Sequence, residues 1–278
     1  MRPATTGGAG HTAKVVSTRA ELSAAMQELR EDGRRVALVP TMGALHEGHR
    51  ALVRRAHDLA DSVVVSVFVN PLQFGKGEDL DKYPRTLAAD VGAVSEEKGD
   101  LVWAPSVEDM YPGGEPLVRV TPGPMGEVLD GASRPGHFGG VLTVVAKLFG
   151  AVRPDVAVFG EKDAQQLALI RRMVRDLDMG IEIEAVPTVR EPDGLALSSR
   201  NTYLSPEQRQ AGLAISRALR TGSLAQARAT LAAEPGLRVD YCELVDPATF
   251  TPLDRDEGGL LLIAAFAGAT RLIDNRTI

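Results

Sequence analysis

The chain has 278 residues, of which 44% are hydrophobic, 24% charged and only 4% aromatic. This composition excludes disorder, collagen and coiled coil as descriptions of the whole, and leaves the core to Ala, Val and Leu. A net charge of −6 argues against a general nucleic-acid or membrane-surface binder, and one cysteine, Cys242, excludes an intrachain disulfide or a cysteine-rich zinc site. A reducing cytoplasm is the expected compartment. The most apolar stretch, residues 260–267, falls far short of the ~20 residues of a membrane span. Residues 1–13 have no apolar signal segment and read as a mobile tail.

Residues 36–39 form a short apolar run of strand length ended by Pro40. Leu52, Val53, Ala56, Leu59 and Ala60 then recur at helical spacing. Residues 63–69 (VVVSVFV) are β-branched and nearly continuously apolar, as in a strand buried on both faces. Strand, helix, buried strand predicts a parallel βαβ unit. Residues 86–98 read as a helix and 100–103 as a strand. Residues 104–136 are interrupted throughout by Pro and Gly, which fits a functional loop and a plain surface loop equally well. Residues 138–152 and 163–177 read as helices, 156–159 and 181–189 as strands. Ser205-Pro206-Glu207-Gln208 is a helix start with Ser as N-cap, Pro at N1 and Gln at N3. One or two Ala-rich helices and strands near 239–245, 260–267 and 270–274 follow. The fold class is therefore α/β: a Rossmann-like parallel sheet with helices on both faces (residues 1–188) and a smaller α+β C-terminal domain (189–278).

The first chemical constellation is PTMGALHEGH at residues 40–49, between the first strand and its helix. Open α/β sheets bind ligands at the carboxyl ends of their strands. Gly43 and Gly48 let backbone approach a ligand, and the helix N-terminus suits phosphate. His46 and His49, three residues apart, can face one ligand. The ordinary alternative is that one caps a turn and the other packs; two histidines framed by glycines favour function. No third Cys or His supports a zinc site. Asn70 and Gln73 lie at the end of the second strand, where turn chemistry explains them as well as ligand binding does. Asp163 and Gln166 fit a D-x-x-Q helix cap. Lys162 sits where a point charge can reach phosphate. Ser198, Ser199 and Arg200 can clamp a polyphosphate or form an exposed polar loop. Arg134, His137 and Tyr83 stay open between substrate contact and local packing.

The HxGH pattern resembles the nucleotidylyltransferase superfamily that includes class I aminoacyl-tRNA synthetases. The longer string PTMGALHEGH resembles the pantothenate synthetase (pantoate–β-alanine ligase) family. The resemblance continues through FVNPLQFG (68–75), DKYPR (81–85), RPGHF (134–138), FGEKD (159–163) and LSSRN (197–201). It implies ATP-dependent condensation of pantoate with β-alanine through a pantoyl adenylate, with release of pyrophosphate and AMP. It implies ATP contacts from Met42, Gly43, Ala44, Leu45, His46, Glu47, Gly48 and His49. Gly160, Glu161, Lys162 and Asp163 are implied as a second ATP segment, and Val189, Leu197, Ser198, Ser199 and Arg200 as a third. Leu197 stands where the family commonly has Met, a volume-conserving exchange. Gln73, Gln166 and Asn70 are implied for the small substrates. His49 is implied as proton donor and His46 as a nucleotide contact, with Lys162 near the α-phosphate. Mg²⁺ held largely by phosphates and water, with no protein metal site, and a homodimer are also implied. The alternative is another HxGH nucleotidylyltransferase, for which Asn70 and Gln73 have no purpose. The chain is too short and acidic for a tRNA synthetase.

Overall fold

The computed structural model describes residues 11–75, 77–78 and 80–278. In chain order come β1 (Lys14–Val16), α1 (Arg19–Leu29), β2 (Val36–Thr41), α2 (Glu47–Leu59), β3 (Ser62–Val67), α3 (Leu87–Glu96) and β4 (Leu101–Trp103). The Pro/Gly-rich stretch carries only the short helices α4 (Val107–Met110) and α5 (Asp130–Ser133). Then follow α6 (His137–Val152), β5 (Val156–Gly160), α7 (Ala164–Asp176), β6 (Glu182–Val186), α8 (Pro206–Arg220), α9 (Leu224–Ala232), β7 (Leu237–Val245), β8 (Leu260–Ala267) and β9 (Thr270–Thr277).

The first six strands form one parallel sheet in the order β1-β4-β3-β2-β5-β6. Apart from the edge strand β1, this is the doubly wound arrangement, and the order reverses between β2 and β5. One face is packed by α1, α6 and α7 through Leu22, Met26, Leu142, Leu148 and Ile170. The other takes α2 and α3 through Leu52, Val53, Ala56 and Val94. Helices on both faces explain why the central strands are apolar without alternation.

Pro40 lies inside β2 rather than ending it. The β2–β5 pairing covers only Ala37 and Leu38, so no ladder partner waits for an N–H at Pro40. Beyond Leu38 the two strands part, and that parting opens the crevice that holds the site.

The mobile tail expected over residues 1–13 falls outside the described residues for 1–10 and is corrected for 11–13. His11 Nε2 lies 2.7 Å from the Gly99 carbonyl, Ala13 is 3% exposed, and its N–H donates to Ser95 Oγ. In the C-terminal region, Ser205 and Gln208 cap α8 reciprocally, as their spacing predicts. α8 and α9 pack on the antiparallel sheet β7-β8-β9 through Leu219, Leu231, Leu261 and Ile263. Among the described residues no helix is long and apolar enough to cross a membrane.

Candidate active site

Three segments converge at the reversal of strand order: the loop after β2, the loop after β5, and a hairpin after β6. The hairpin is closed by the Arg190–Ala196 bridge and a 3.0 Å bond from Leu197 N–H to the Val189 carbonyl.

A buried carboxylate shapes the first loop. Asp90 of α3, 2% exposed, accepts from the N–H groups of Ala44 (3.2 Å) and Leu45 (2.8 Å) and from the Thr86 hydroxyl (3.2 Å). Gly43 turns there with φ +85°, and a side chain on it would lie 3.0 Å from the Asp90 carboxylate. Both conditions demand glycine.

The two histidines are themselves the cap of α2. Nδ1 of His46 accepts from Gly48 N–H at 3.2 Å, and Nδ1 of His49 accepts from His46 N–H at 3.3 Å. This is the reciprocal arrangement that Ser and Glu usually make. Both Nδ1 atoms accept, so each neutral ring carries its proton on Nε2. The ring centroids are 4.1 Å apart. A Cβ on Gly48 would come within 2.9 Å of the His46 ring, so glycine between them is a steric requirement. Burial, then His46 and Lys162, push His49 down to about 3, and burial, then Lys162, lower His46. At neutral pH the pair presents two Nε2–H donors.

His46, His49, Met42, Gly48, Gly160, Lys162, Val189, Leu197, Ser198, Ser199 and Arg200 line one cavity of about 220 Å³, with Gln73, Gln166 and Asp163. A second cavity of about 740 Å³ adjoins it, and Lys162, Asp163, Gln166, Ser198 and Arg200 line both. Gly43, Ala44, Leu45, Glu47, Glu161 and Asn70 are in neither wall. Glu47 is exposed and pairs with Arg54. Lys162 Nζ lies 3.6 Å from Asp163 Oδ2. Burial would raise Asp163, but Lys162 and Arg200 outweigh it and hold the carboxyl below its ordinary value. Its side chain is nevertheless 48% accessible, because it faces the cavity.

Gln73 is 9% exposed, with Nε2 3.1 Å from Met42 Sδ and Oε1 accepting from Asn70 Nδ2 at 3.0 Å. Asn70 is 1% exposed and saturated: Nδ2 also donates to the Gly140 carbonyl, while Oδ1 accepts from Tyr111 OH and Leu72 N–H. Behind Gln73, His137 donates Nδ1–H to the Gln73 carbonyl (2.9 Å) and accepts at Nε2 from Arg134 (3.0 Å). Those two roles require a neutral ring, and burial, then Arg134, push His137 down to about 4. Arg134 also holds Glu78 at 2.6 Å.

The Pantoate-beta-alanine ligase family profile matches residues 14–277. The chain belongs to the pantoate–β-alanine ligase family. It is 56% identical to a pantothenate synthetase of a Nocardioides species over 93% of this chain and 83% of that one. It is 54% identical to that of Thermobifida fusca, over 95% and 96%. The crystal structure of pantothenate synthetase from Thermus thermophilus superposes with a TM-score of 0.90 at 50% identity, covering 95% of this chain and 99% of that one. A pantoate–β-alanine ligase from Francisella tularensis, complexed with β-γ ATP and β-alanine, superposes with a TM-score of 0.83 at 34% identity, over 95% and 97%.

Family membership makes the chain an ATP-dependent ligase of pantoate and β-alanine. Two expectations change against this background. Asp163 makes no side-chain cap to α7, so the D-x-x-Q cap is absent; its carboxylate turns to Lys162 instead. Asn70 stands behind Gln73 with its hydrogen-bonding capacity spent, so it holds Gln73 rather than facing the cavity. Asp90, Tyr111 and Glu78 escaped the sequence reading. A lone Asp in a helix or Tyr in an irregular loop gives no local signal, because its partners lie far along the chain.

Proposed function

We propose that this chain makes pantothenate in two steps within the paired cavities. One observation carries the reading: two imidazoles, Lys162 and the Ser198–Arg200 turn face one volume together with Gln73 and Gln166. A carboxylate is a poor acyl donor because it would have to expel oxide. In the first step an oxygen of pantoate bonds to the α-phosphorus of ATP, and the bond to the β-phosphate oxygen breaks to release pyrophosphate. In the second, the neutral amine of β-alanine bonds to the acyl carbon, AMP leaves with the acyl C–O electron pair, and the nitrogen loses a proton.

The chemistry asks for positioning and neutralisation of phosphate charge. The Nε2–H groups of His46 and His49 donate to phosphate oxygens, with Lys162 and Arg200 as cations and Ser198 and Ser199 as hydroxyl donors. With a pKa of about 3, His49 works first as a hydrogen-bond donor. Phosphate charge raises it toward the range in which it hands over a proton. Gln73 and Gln166 take the pantoate hydroxyl and carboxylate. Mg²⁺ would be held largely by phosphate and water, with Asp163 the carboxylate at the junction of the cavities that would reach it, and would supply further neutralisation of phosphate charge. Residues 189–278 act as a lid. Leu117 and Val118, fully and 86% exposed, suit a face covered in a homodimer, read out as the mass in solution. A cytoplasmic location accords with the single, buried Cys242.

The test is an assay of pyrophosphate and AMP from ATP, pantoate and β-alanine, omitting each in turn. Pyrophosphate release needs ATP and pantoate, and AMP turnover needs all three. Pyrophosphate release without pantoate, or transfer of AMP to a phosphate ester, refutes the reading.

A further inference from the structure

Two adjacent residues of β9, in the C-terminal sheet, each hold a loop of the cavity. Asn275 Nδ2 donates to the carbonyls of Glu161 (2.8 Å) and Lys162 (2.9 Å), more than a hundred residues away in the chain. Asp274, 4% exposed, takes Arg190 in a two-point pair, Nη1 to Oδ2 at 2.5 Å and Nη2 to Oδ1 at 3.0 Å. Arg190 Nη1 also donates to the Gly194 carbonyl across the hairpin that leads to Ser198.

The geometry explains why one dipeptide does both. Successive side chains of a strand point to opposite faces, so Asp274 and Asn275 reach opposite ways from one backbone. Among the described residues β9 is the edge of its sheet and pairs with β8 alone, which leaves its other side for the parallel-sheet domain. Neither the turn at 161–163 nor α7 has a side-chain N-cap, and the Asp163 carboxylate is turned to Lys162 instead. The Asn275 amide ties the Glu161 and Lys162 carbonyls of this turn to the C-terminal sheet.

We infer that Asp274 and Asn275 are positioning residues for adenylate formation: Asn275 sets the Lys162 amine through its own carbonyl, and Asp274 sets the Val189–Arg200 hairpin through Arg190. The inference rests on the phosphate role of Lys162 proposed above. It also makes ATP-site geometry depend on how the C-terminal sheet is seated.

The experiment measures pantoate-dependent pyrophosphate release, ATP KM and thermal midpoint for Asn275→Ala, the isosteric Asn275→Asp, Asp274→Asn, Lys162→Ala and the Lys162→Ala/Asn275→Ala double variant. Asn275→Ala is expected to lower kcat about 10- to 100-fold, the cost of an ångström-scale misplacement. In the Lys162→Ala background it should cost nothing further, because the group it positions is gone. Asp274→Asn should instead raise the ATP KM. If Lys162→Ala leaves release unchanged, the phosphate reading itself is wrong. If Lys162→Ala is impaired while both folded Asn275 variants stay within twofold of the parent, or if the Asn275 loss persists undiminished in the double variant, the positioning inference is overturned. Failure of both Asn275 variants to fold would make it a stability residue and overturn it equally. An Asp274→Asn enzyme with unchanged ATP KM overturns the hairpin half.

Discussion

Gly140 of α6 is where one methyl group should disable the substrate loop. The helix passes so close to the turn at Pro71–Gln73 that a Cβ on Gly140 would stand 2.2 Å from the Leu72 carbonyl oxygen and 2.7 Å from the Gln73 nitrogen. Real Cβ atoms keep at least 3.0 Å from such neighbours, so helix and turn must separate by roughly 1 Å. The turn cannot yield freely, because Asn70 ties it to the Gly140 carbonyl and His137 ties the Gln73 carbonyl to the helix start. Overpacking of this kind costs about 1–3 kcal/mol of stability. An ångström of displacement at Gln73 should lower pantoate-dependent pyrophosphate release by up to ~100-fold. The assay is that rate with a pantoate titration, beside thermal melts, on Gly140→Ala and on Gly150→Ala, an α6 glycine whose Cβ would meet nothing within 4 Å. Gly150→Ala should match the parent. A folded Gly140→Ala enzyme with parental kcat and pantoate KM would refute the argument that this contact sets Gln73.

Three further outcomes follow from the site. Replacing the histidine cap by an ordinary one, His46→Ser with His49→Glu, should leave α2 folded but cut adenylate formation by ~10²–10⁴-fold, checked by circular dichroism beside pyrophosphate release. Acid should destabilise the fold early: His49 and His137 are neutral in the folded state down to about 3 and about 4, whereas an unfolded imidazole titrates near 6.5. Their contribution is present above pH 6.5 and is lost progressively as pH falls toward about 4 for His137 and about 3 for His49, with about 2 kcal/mol from each already lost at pH 5, so a urea-derived stability that is flat between pH 7 and pH 5 would contradict it. Asp90→Ala should release the amides of Ala44 and Leu45, costing about 2–4 kcal/mol in denaturant melts and weakening ATP binding, because the loop entering the histidine cap loses its buried acceptor.

The sheet was legible because its central strands are buried on both faces: VVVSVFV reads as a core strand, the helix between it and the preceding strand makes the pair parallel, and α2 and α8 announce themselves by spacing and by the Ser205–Gln208 box. β1 and α1 were missed for different reasons. β1 is a three-residue edge with one buried side chain, whereas α1 carries a Thr18–Glu21 capping box and Leu22, Ala25, Met26 and Leu29 at helical spacing, signals that were present and went unread. The sequence pattern also paired Asp163 with Gln166 as a local cap, but Lys162 beside it makes the ion pair the better partner for that carboxylate. Asp90 and Asn275 belong to a third kind. They are joined to the loops they serve by contacts that only the folded chain creates, whereas Asn70 caps its own turn locally and adds distant bonds to Gly140 and Tyr111.

The histidine pair shows why a structural and a chemical reading of one motif need not compete. A helix start needs acceptors for its free N–H groups, and Ser or Glu would supply them. A Glu there would aim a carboxylate at the volume proposed above for the triphosphate, and like charges in a poorly solvated cavity repel strongly. A serine hydroxyl that accepts from the backbone reaches no further. Imidazole alone among the neutral side chains accepts with one ring nitrogen and donates with the other on the far side of a rigid ring. Capping by Nδ1 therefore fixes the tautomer that leaves Nε2–H facing the cavity, and burial keeps both rings neutral so that they do not repel each other or Lys162. The glycine between them follows from the same geometry, since the His46 ring lies where its Cβ would be. The spacing of HEGH is thus set by the cap, and the orientation of the donors is a consequence of it.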